Sequence, residues 1–148
     1  MKLTTRLAQR TDLDALLAIE AACFTCDQLS RRSFLHLLSS PSAEIWILAA
    51  NQRIIGYGLL FFRKNSQKAR LYSIAIQETH RQRGGAATLN AILEKRALSR
   101  GYDRIILEVR VDNTAAITFY KKHAYRVFGK YNRFYEDGTD ALRMEKLL

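Results

Sequence analysis

Apolar residues recur along this chain in two rhythms, one helical and one alternating, and the change of rhythm outlines the elements. Residues 2–8 read as an opening strand, after which Thr11 or Asp12 is placed to cap a helix carrying Leu13, Leu16, Leu17 and Ala21 on one face. Ser30 is placed to cap a second, short helix with Phe34, Leu35, Leu37 and Leu38 as its apolar set, and Pro41 follows where that helix must already have ended. Two β-branched and aromatic runs, Ile45 to Ala50 and Ile54 to Phe62, joined by Asn51-Gln52-Arg53, predict an antiparallel hairpin. A polar break at 64–68 leads to a further strand from Ala69 to Ile76, extending the hairpin to a meander. The rhythm then turns helical from Gly84 to Arg100, with Leu89, Ile92, Leu93 and Ala97 in period and Gly101 as the stop. A strand from Ile105 to Val111, a helix from Thr114 to His123 and closing strands at 125–134 and 141–147 complete the order β-α-α-β-β-β-α-β-α-β-β. That order predicts a mixed α/β domain on one central, mostly antiparallel sheet flanked by helices.

The chain has 148 residues, 48% of them hydrophobic, which fits a single domain over 1–148 with a core and a ligand cleft. No apolar run approaches the 18 or so residues of a membrane span, and the N-terminal residues enter a strand, so the expected location is the cytoplasm. Lysine and arginine outnumber the acids by 24 to 14, a formal charge of +10 that attracts polyanions such as nucleic acid, phosphorylated cofactors and acidic proteins. Cys23 and Cys26 form a lone C-x-x-C with no second pair, and the histidines at 36, 80 and 123 lie far apart in sequence, so no metal site is expected.

Candidate chemistry concentrates where the strand ending at Ile76 turns through Gly84 and Gly85 into the long helix. Small residues at 84–87 let a polyanion approach the unpartnered N–H groups of a first helical turn, and Arg81 and Arg83 add charge. Neither G-x-G-x-x-G nor a G-K-[ST] follows, which excludes the dinucleotide and nucleoside-triphosphate signatures.

The run Arg81-Gln82-Arg83-Gly84-Gly85-Ala86 resembles the Q/R-x-x-G-x-G/A acyl-CoA signature of the GNAT superfamily. Leu107-Glu108-Val109-Arg110, Asn113-Thr114-Ala115-Ala116-Ile117 and Tyr120 resemble a segment of the RimI-like ribosomal-protein alanine N-acetyltransferases. The resemblance implies an acetyl-CoA-dependent N-acetyltransferase that moves an acetyl group directly to a primary amine: a protein or peptide N-terminus, a lysine or a small amine. It implies that main-chain groups of Ile74, Ala75 and Ile76 pair with the pantetheine arm and that Gln82, Arg83, Gly84, Gly85, Ala86 and Ala87 hold the pyrophosphate. Asn113 would contact the arm, and its position also suits an ordinary helix N-cap. Glu108 would take a proton from the incoming ammonium, directly or through water; otherwise it is a solvated strand glutamate or a partner of Arg110. Tyr120 would protonate the departing thiolate, although periodicity alone reads it as core.

Tyr131, Phe134, Tyr135 and the acids Glu136 and Asp137 suit an acceptor pocket or an exposed turn around Gly138. The alternative to catalysis is a nucleic-acid- or ribosome-associated module using Arg31, Arg32, Lys64, Lys68, Lys121, Lys122, Arg126, Lys130 and Arg133. Monomer and homodimer are both compatible with the sequence.

Overall fold

A computed structural model describes residues 2–148. Its elements run β1 (Leu3–Leu7), α1 (Leu13–Cys23), α2 (Arg31–Ser39), β2 (Ala43–Ala50), β3 (Arg53–Phe62), β4 (Lys68–Ile76), α3 (Gly85–Ser99), β5 (Arg104–Arg110), α4 (Thr114–Lys122), β6 (Arg126–Tyr131) and β7 (Ala141–Leu147). One seven-stranded sheet has the order β1-β2-β3-β4-β5-β7-β6, antiparallel throughout except between β4 and β5.

Local chemistry accounts for most boundaries. Asn51 and Gln52 both take positive φ, 50° and 71°, between the paired residues Ala50 and Arg53, so β2 and β3 close through a two-residue turn whose twist suits a hairpin. Ser30 accepts the Ser33 N–H at 3.1 Å and caps α2. At the end of α3, Gly101 takes φ 86° while Tyr102 N–H reaches the Ala97 carbonyl and Gly101 N–H that of Leu98, a Schellman closure. Asp12 behaves differently from the helix cap expected of it. Its carboxylate accepts the Gln9 N–H at 2.7 Å and a two-point contact from Arg6 at 2.8 and 2.9 Å, fixing the short 3-10 turn before α1. The last loop also claims more chain than expected, since β6 ends at Tyr131.

The core lies on both faces of the sheet. Leu16, Ile19 and Phe34 of α1 and α2 pack on Ile45, Ile47, Tyr57 and Leu59 on one face. Leu93 and Ala97 of α3 and Tyr120 of α4 pack on Leu71, Leu107, Val109 and Met144 on the other. Alternation along β5 therefore turns Glu108 to the α1–α2 face while Leu107 and Val109 enter the α3–α4 core.

The decisive feature of the sheet is an interruption. Parallel pairing of β4 with β5 is confined to Lys68–Arg70 against Arg104–Ile106; beyond it β4 stays on β3 and β5 on β7. A bulge in the β3–β4 ladder falls at the point of separation, between Leu59 and Leu60.

Candidate active site

Where β4 and β5 part, a cleft of about 420 Å³ opens through the sheet, lined from β4 by Tyr72 and Ile74 and from β5 by Glu108 and Arg110. The inner edge of β4 is set by its ladder with β3. Gln77 N–H donates to the Ile55 carbonyl, and the antiparallel register pairs Ala75 with Tyr57. Alternation then turns the main-chain groups of Ala75 toward β3 and those of Ile74 and Ile76 toward the cleft. Of the three positions assigned to an added strand, Ile74 and Ile76 thus present the edge and Ala75 backs it. The Ile76 carbonyl already accepts Arg81 Nε at 3.0 Å and Cys23 Sγ at 3.4 Å. Arg81 thus also braces the end of β4, through Nε to the Ile76 carbonyl and Nη2 to Cys23 Sγ at 3.7 Å.

Past Ile76 the chain makes a short 3-10 turn, Glu78–His80, then enters α3 through Gln82 and Gly84 at φ 63° and 83°. Gly84 offers no side-chain cap, and among the described residues the N–H groups of 82–87 have no hydrogen-bond partner. Gly85 fits because a Cβ there would lie 2.8 Å from Leu48 Cδ2 and 3.1 Å from Ile76 Cδ1, so the start of α3 sits directly on the sheet. Consecutive free donors at the positive end of a helix, with Arg83 exposed beside them, fit a diphosphate.

Glu108 and Tyr120 line the same cleft from opposite faces of the sheet. The Glu108 side chain is 7% exposed, and its Oε1 receives Arg70 Nε at 2.8 Å and Nη2 at 2.6 Å. Its partner is therefore Arg70 and not Arg110. Tyr120 is 8% exposed, its ring is held edge-on against Phe119 and Tyr125, and among the described residues its hydroxyl has no hydrogen-bond partner. Burial raises its pKa, helped by the nearby Tyr135, so the phenol holds its proton at neutral pH. Asn113 also lines the cleft; its side chain accepts the Ala116 N–H at 3.1 Å, so it is the N-cap of α4.

The roof of the cleft combines the α1–α2 connection with the β6–β7 loop. Asp27 accepts the Glu136 N–H at 3.1 Å, and Arg110 binds Asp137 at 2.6 Å and Thr139 at 2.7 Å. Arg110 holds the Asp137 carboxyl well below the usual carboxylate range, which leaves that acid engaged instead of free to attract an ammonium. Phe134 and Tyr135 line the cleft, and burial followed by the Glu108 charge pushes the Tyr135 phenol up to about 12. Beneath the roof, buried Glu20 accepts the Tyr57 hydroxyl and the Leu29 N–H and anchors the connection; burial raises its pKa.

Tyr72, Arg70, Glu20 and Asp27 are site residues that sequence reasoning did not identify. For Glu20 a signal exists, because it continues the apolar stripe of Leu13 and Leu16 on α1.

The profile of the Acetyltransferase (GNAT) family matches residues 13–125. The chain belongs to this family. A Bacillus subtilis protein assigned as ribosomal protein bS18-alanine N-acetyltransferase is 31% identical over 146 residues, covering 97% of this chain and 94% of that one. Mycothiol acetyltransferase of Jonesia denitrificans is 27% identical over 134 residues; that match covers 84% of this chain but spans only 43% of the relative's length. The crystal structure of Ard1 from Thermoplasma volcanium superposes with a TM-score of 0.90 at 22% identity, over 100% of this chain and 99% of that one, and so shares its fold. This GNAT chain is an acetyl-CoA-dependent N-acetyltransferase. Among its described residues, no helix is long and apolar enough to cross a membrane.

Proposed function

We propose that this enzyme acetylates the α-amino group of a polypeptide N-terminus in the cytoplasm, by direct transfer across the gap between β4 and β5. The observation that carries the reading is that gap itself. The inner edge of β4 at Ile74 and Ile76, which no strand pairs, the free N–H groups of 82–87 and the two titratable groups Glu108 and Tyr120 all border or adjoin it. Residues 82–87 hold the diphosphate, the β4 edge receives the pantetheine amides as an added strand, and Asn113 flanks the arm.

The acceptor approaches from the α1–α2 face, where Glu108 stands. Only a neutral amine attacks a thioester, and Glu108 removes the ammonium proton directly or through water, with Arg70 fixing its orientation. The amine nitrogen bonds to the acetyl carbon, a main-chain N–H of the β4 edge stabilises the oxyanion, and the nitrogen, now cationic, releases its second proton to water. The C–S bond then breaks and Tyr120, on the opposite face, gives its proton to the sulfur. Preference for a protein N-terminus rests on the likeness to the bS18-alanine N-acetyltransferase over nearly the full chain.

Titration calorimetry with free and acetylated coenzyme A, followed by acetyl transfer to N-terminal peptides, lysine peptides and polyamines, tests the proposal. Micromolar uptake of coenzyme A and turnover favouring peptides with a free α-amine are expected. Folded protein that takes up no coenzyme A overturns it, and so does turnover restricted to polyamines.

A further inference from the structure

On the α1–α2 side of the sheet, the helices cover β2, β3 and β4, and the strands beyond the cleft carry an exposed ladder of aromatic rings around one arginine. Arg143 lies directly across from Glu108 in the β5–β7 register and across from Gly129 in the β6–β7 register. Opposed residues of an antiparallel pair share a face at a Cα separation of about 5 Å, so the Arg143 side chain stands beside the proposed base. Its stem packs over Gly129, which has no side chain to obstruct it. Its guanidinium sits 4.7 Å from the Phe128 ring centre and 4.4 Å from that of Tyr131. Tyr131 stacks on Phe134 at 5.4 Å, and Phe134 meets Tyr135 edge-on at 5.0 Å, which carries the ladder into the cleft.

Most charges of the strands on this face are paired. Arg70 pairs with Glu108, Arg104 and Arg126 with Glu145, Lys130 with Asp140, and Arg110 with Asp112 and Asp137. Among the described residues Arg143 has no carboxylate partner, and its Nε is buried without a hydrogen bond. Aromatic rings orient a guanidinium and strip part of its water, which strengthens its attraction for an anion while leaving its outer edge free. Phe128, Tyr131 and Phe134 are each about two-fifths exposed, at 41%, 39% and 39%, so the platform is open to a ligand.

We infer that Arg143, held between Phe128 and Tyr131, is an acceptor subsite for a carboxylate, and that the preferred acceptor is a polypeptide with an acidic side chain at its second or third position. The inference rests on the proposed acetylation of polypeptide N-termini. With the amine at Glu108, an extended chain advances about 3.3–3.6 Å per residue, which brings the side chain of the second or third residue to Arg143. The formal charge of +10 steers acidic polypeptides toward the face, and Arg143, fixed between two rings opposite Glu108, selects among them.

Peptides identical except for Ala, Glu or Lys at positions two and three, compared by kcat/KM, test the subsite. The wild type is expected to favour Glu over Ala by about tenfold, the size of one partly exposed charge-assisted contact. In Arg143→Gln that ratio falls to about one, Arg143→Lys restores part of it, and Arg143→Glu shifts the preference to Lys. As a check independent of any variant, raising salt from about 0.05 to about 0.5 M shrinks the wild-type ratio. Wild-type turnover with no acidic preference overturns the subsite and leaves N-terminal acetylation standing. An unchanged ratio in Arg143→Gln also overturns it, as does a case in which that variant loses only affinity for a single-stranded RNA oligonucleotide. No turnover on any peptide removes both readings.

Discussion

Replacing Tyr120 with Phe separates a catalytic phenol from a packed ring. The ring contacts are edge-on, at 5.3 Å to both Phe119 and Tyr125, and a phenylalanine keeps them. The Tyr125 neighbour is fixed independently, because its hydroxyl bonds Asn90 at 3.0 Å and Glu94 at 3.2 Å. The Tyr120 hydroxyl has no partner to lose among the described residues, so stability is expected to stay within about 1 kcal/mol of the parent, a change in Tm of about 3–4 °C at this size. If the phenol protonates the leaving sulfur, kcat falls by about 10²–10⁴-fold, or about 2.7–5.5 kcal/mol on the barrier. The two scales are far enough apart to be read together. Burial raises the phenol's pKa, so the proton-bearing form is complete at neutral pH and is lost only as pH climbs through the raised value. Tyr120 should therefore add no basic limb to the kcat profile below about pH 10. Single-turnover release of thiol, with KM for acetyl-CoA and a thermal melt on the same preparation, makes the measurement. A well-folded Tyr120→Phe enzyme with kcat within about threefold of the parent refutes the assignment.

Three further outcomes are expected. Gly85→Val drives a branched side chain against Leu48 and Ile76, where even a Cβ lies 2.8 and 3.1 Å from their methyl groups. Lifting the start of α3 at an overpacking cost of about 1–3 kcal/mol displaces the N–H groups and weakens coenzyme A binding by at least about tenfold; calorimetric affinity equal to the parent's contradicts the cradle. Asp12→Asn removes a carboxylate whose pKa is lowered chiefly by its hydrogen bonds from Arg6, against an opposing burial effect. Because Arg6 is half-exposed, the loss should be about 1–2 kcal/mol in chemical denaturation near neutral pH. That stabilisation is complete above the unfolded carboxyl value near ~3.9 and disappears as pH falls through the lower folded value, so parent and variant converge in acid. Cys23→Ala and Cys26→Ala should each keep most of the acetyl-transfer rate, because direct transfer needs no acyl-cysteine; near-complete loss, or acetylated Cys26 found by mass spectrometry in the parent, contradicts it.

The elements were readable because their signals are local. Period-two runs gave the strands, Ser30 and Gly101 gave helix limits, and the glycine bend at 84–87 announced a helix start without a side-chain cap. What local signals do not carry is where pairing stops. Nothing in β4 or β5 read separately says that their ladder ends at Arg70 and Ile106, yet that ending makes the cleft. The groups that complete the site are equally distant in sequence. Arg70 meets Glu108 across 38 positions, and Asp27 meets Glu136 across 109. The bracing role of Arg81 is hidden for a related reason: its charge suits a phosphate site, and only the fold shows that its Nε also reaches the carbonyl of Ile76.

A sheet with every ladder complete is a wall, with α1 and α2 on one side of this one and α3 and α4 on the other. The reaction needs protons removed from nitrogen and a proton delivered to sulfur. In the proposed mechanism Glu108 and Tyr120 divide these tasks from opposite sides, Glu108 turned from β5 toward the acceptor face and Tyr120 reaching in from α4. Their roles connect only if an opening crosses the wall between them, and the separation of β4 from β5 is that opening. The same separation leaves the inner edge of β4 without a strand partner, so in the proposal binding and chemistry draw on one structural event. Continued pairing beyond Arg70 and Ile106 would occupy that edge and seal the passage together, and no substitution at Glu108 or Tyr120 would compensate.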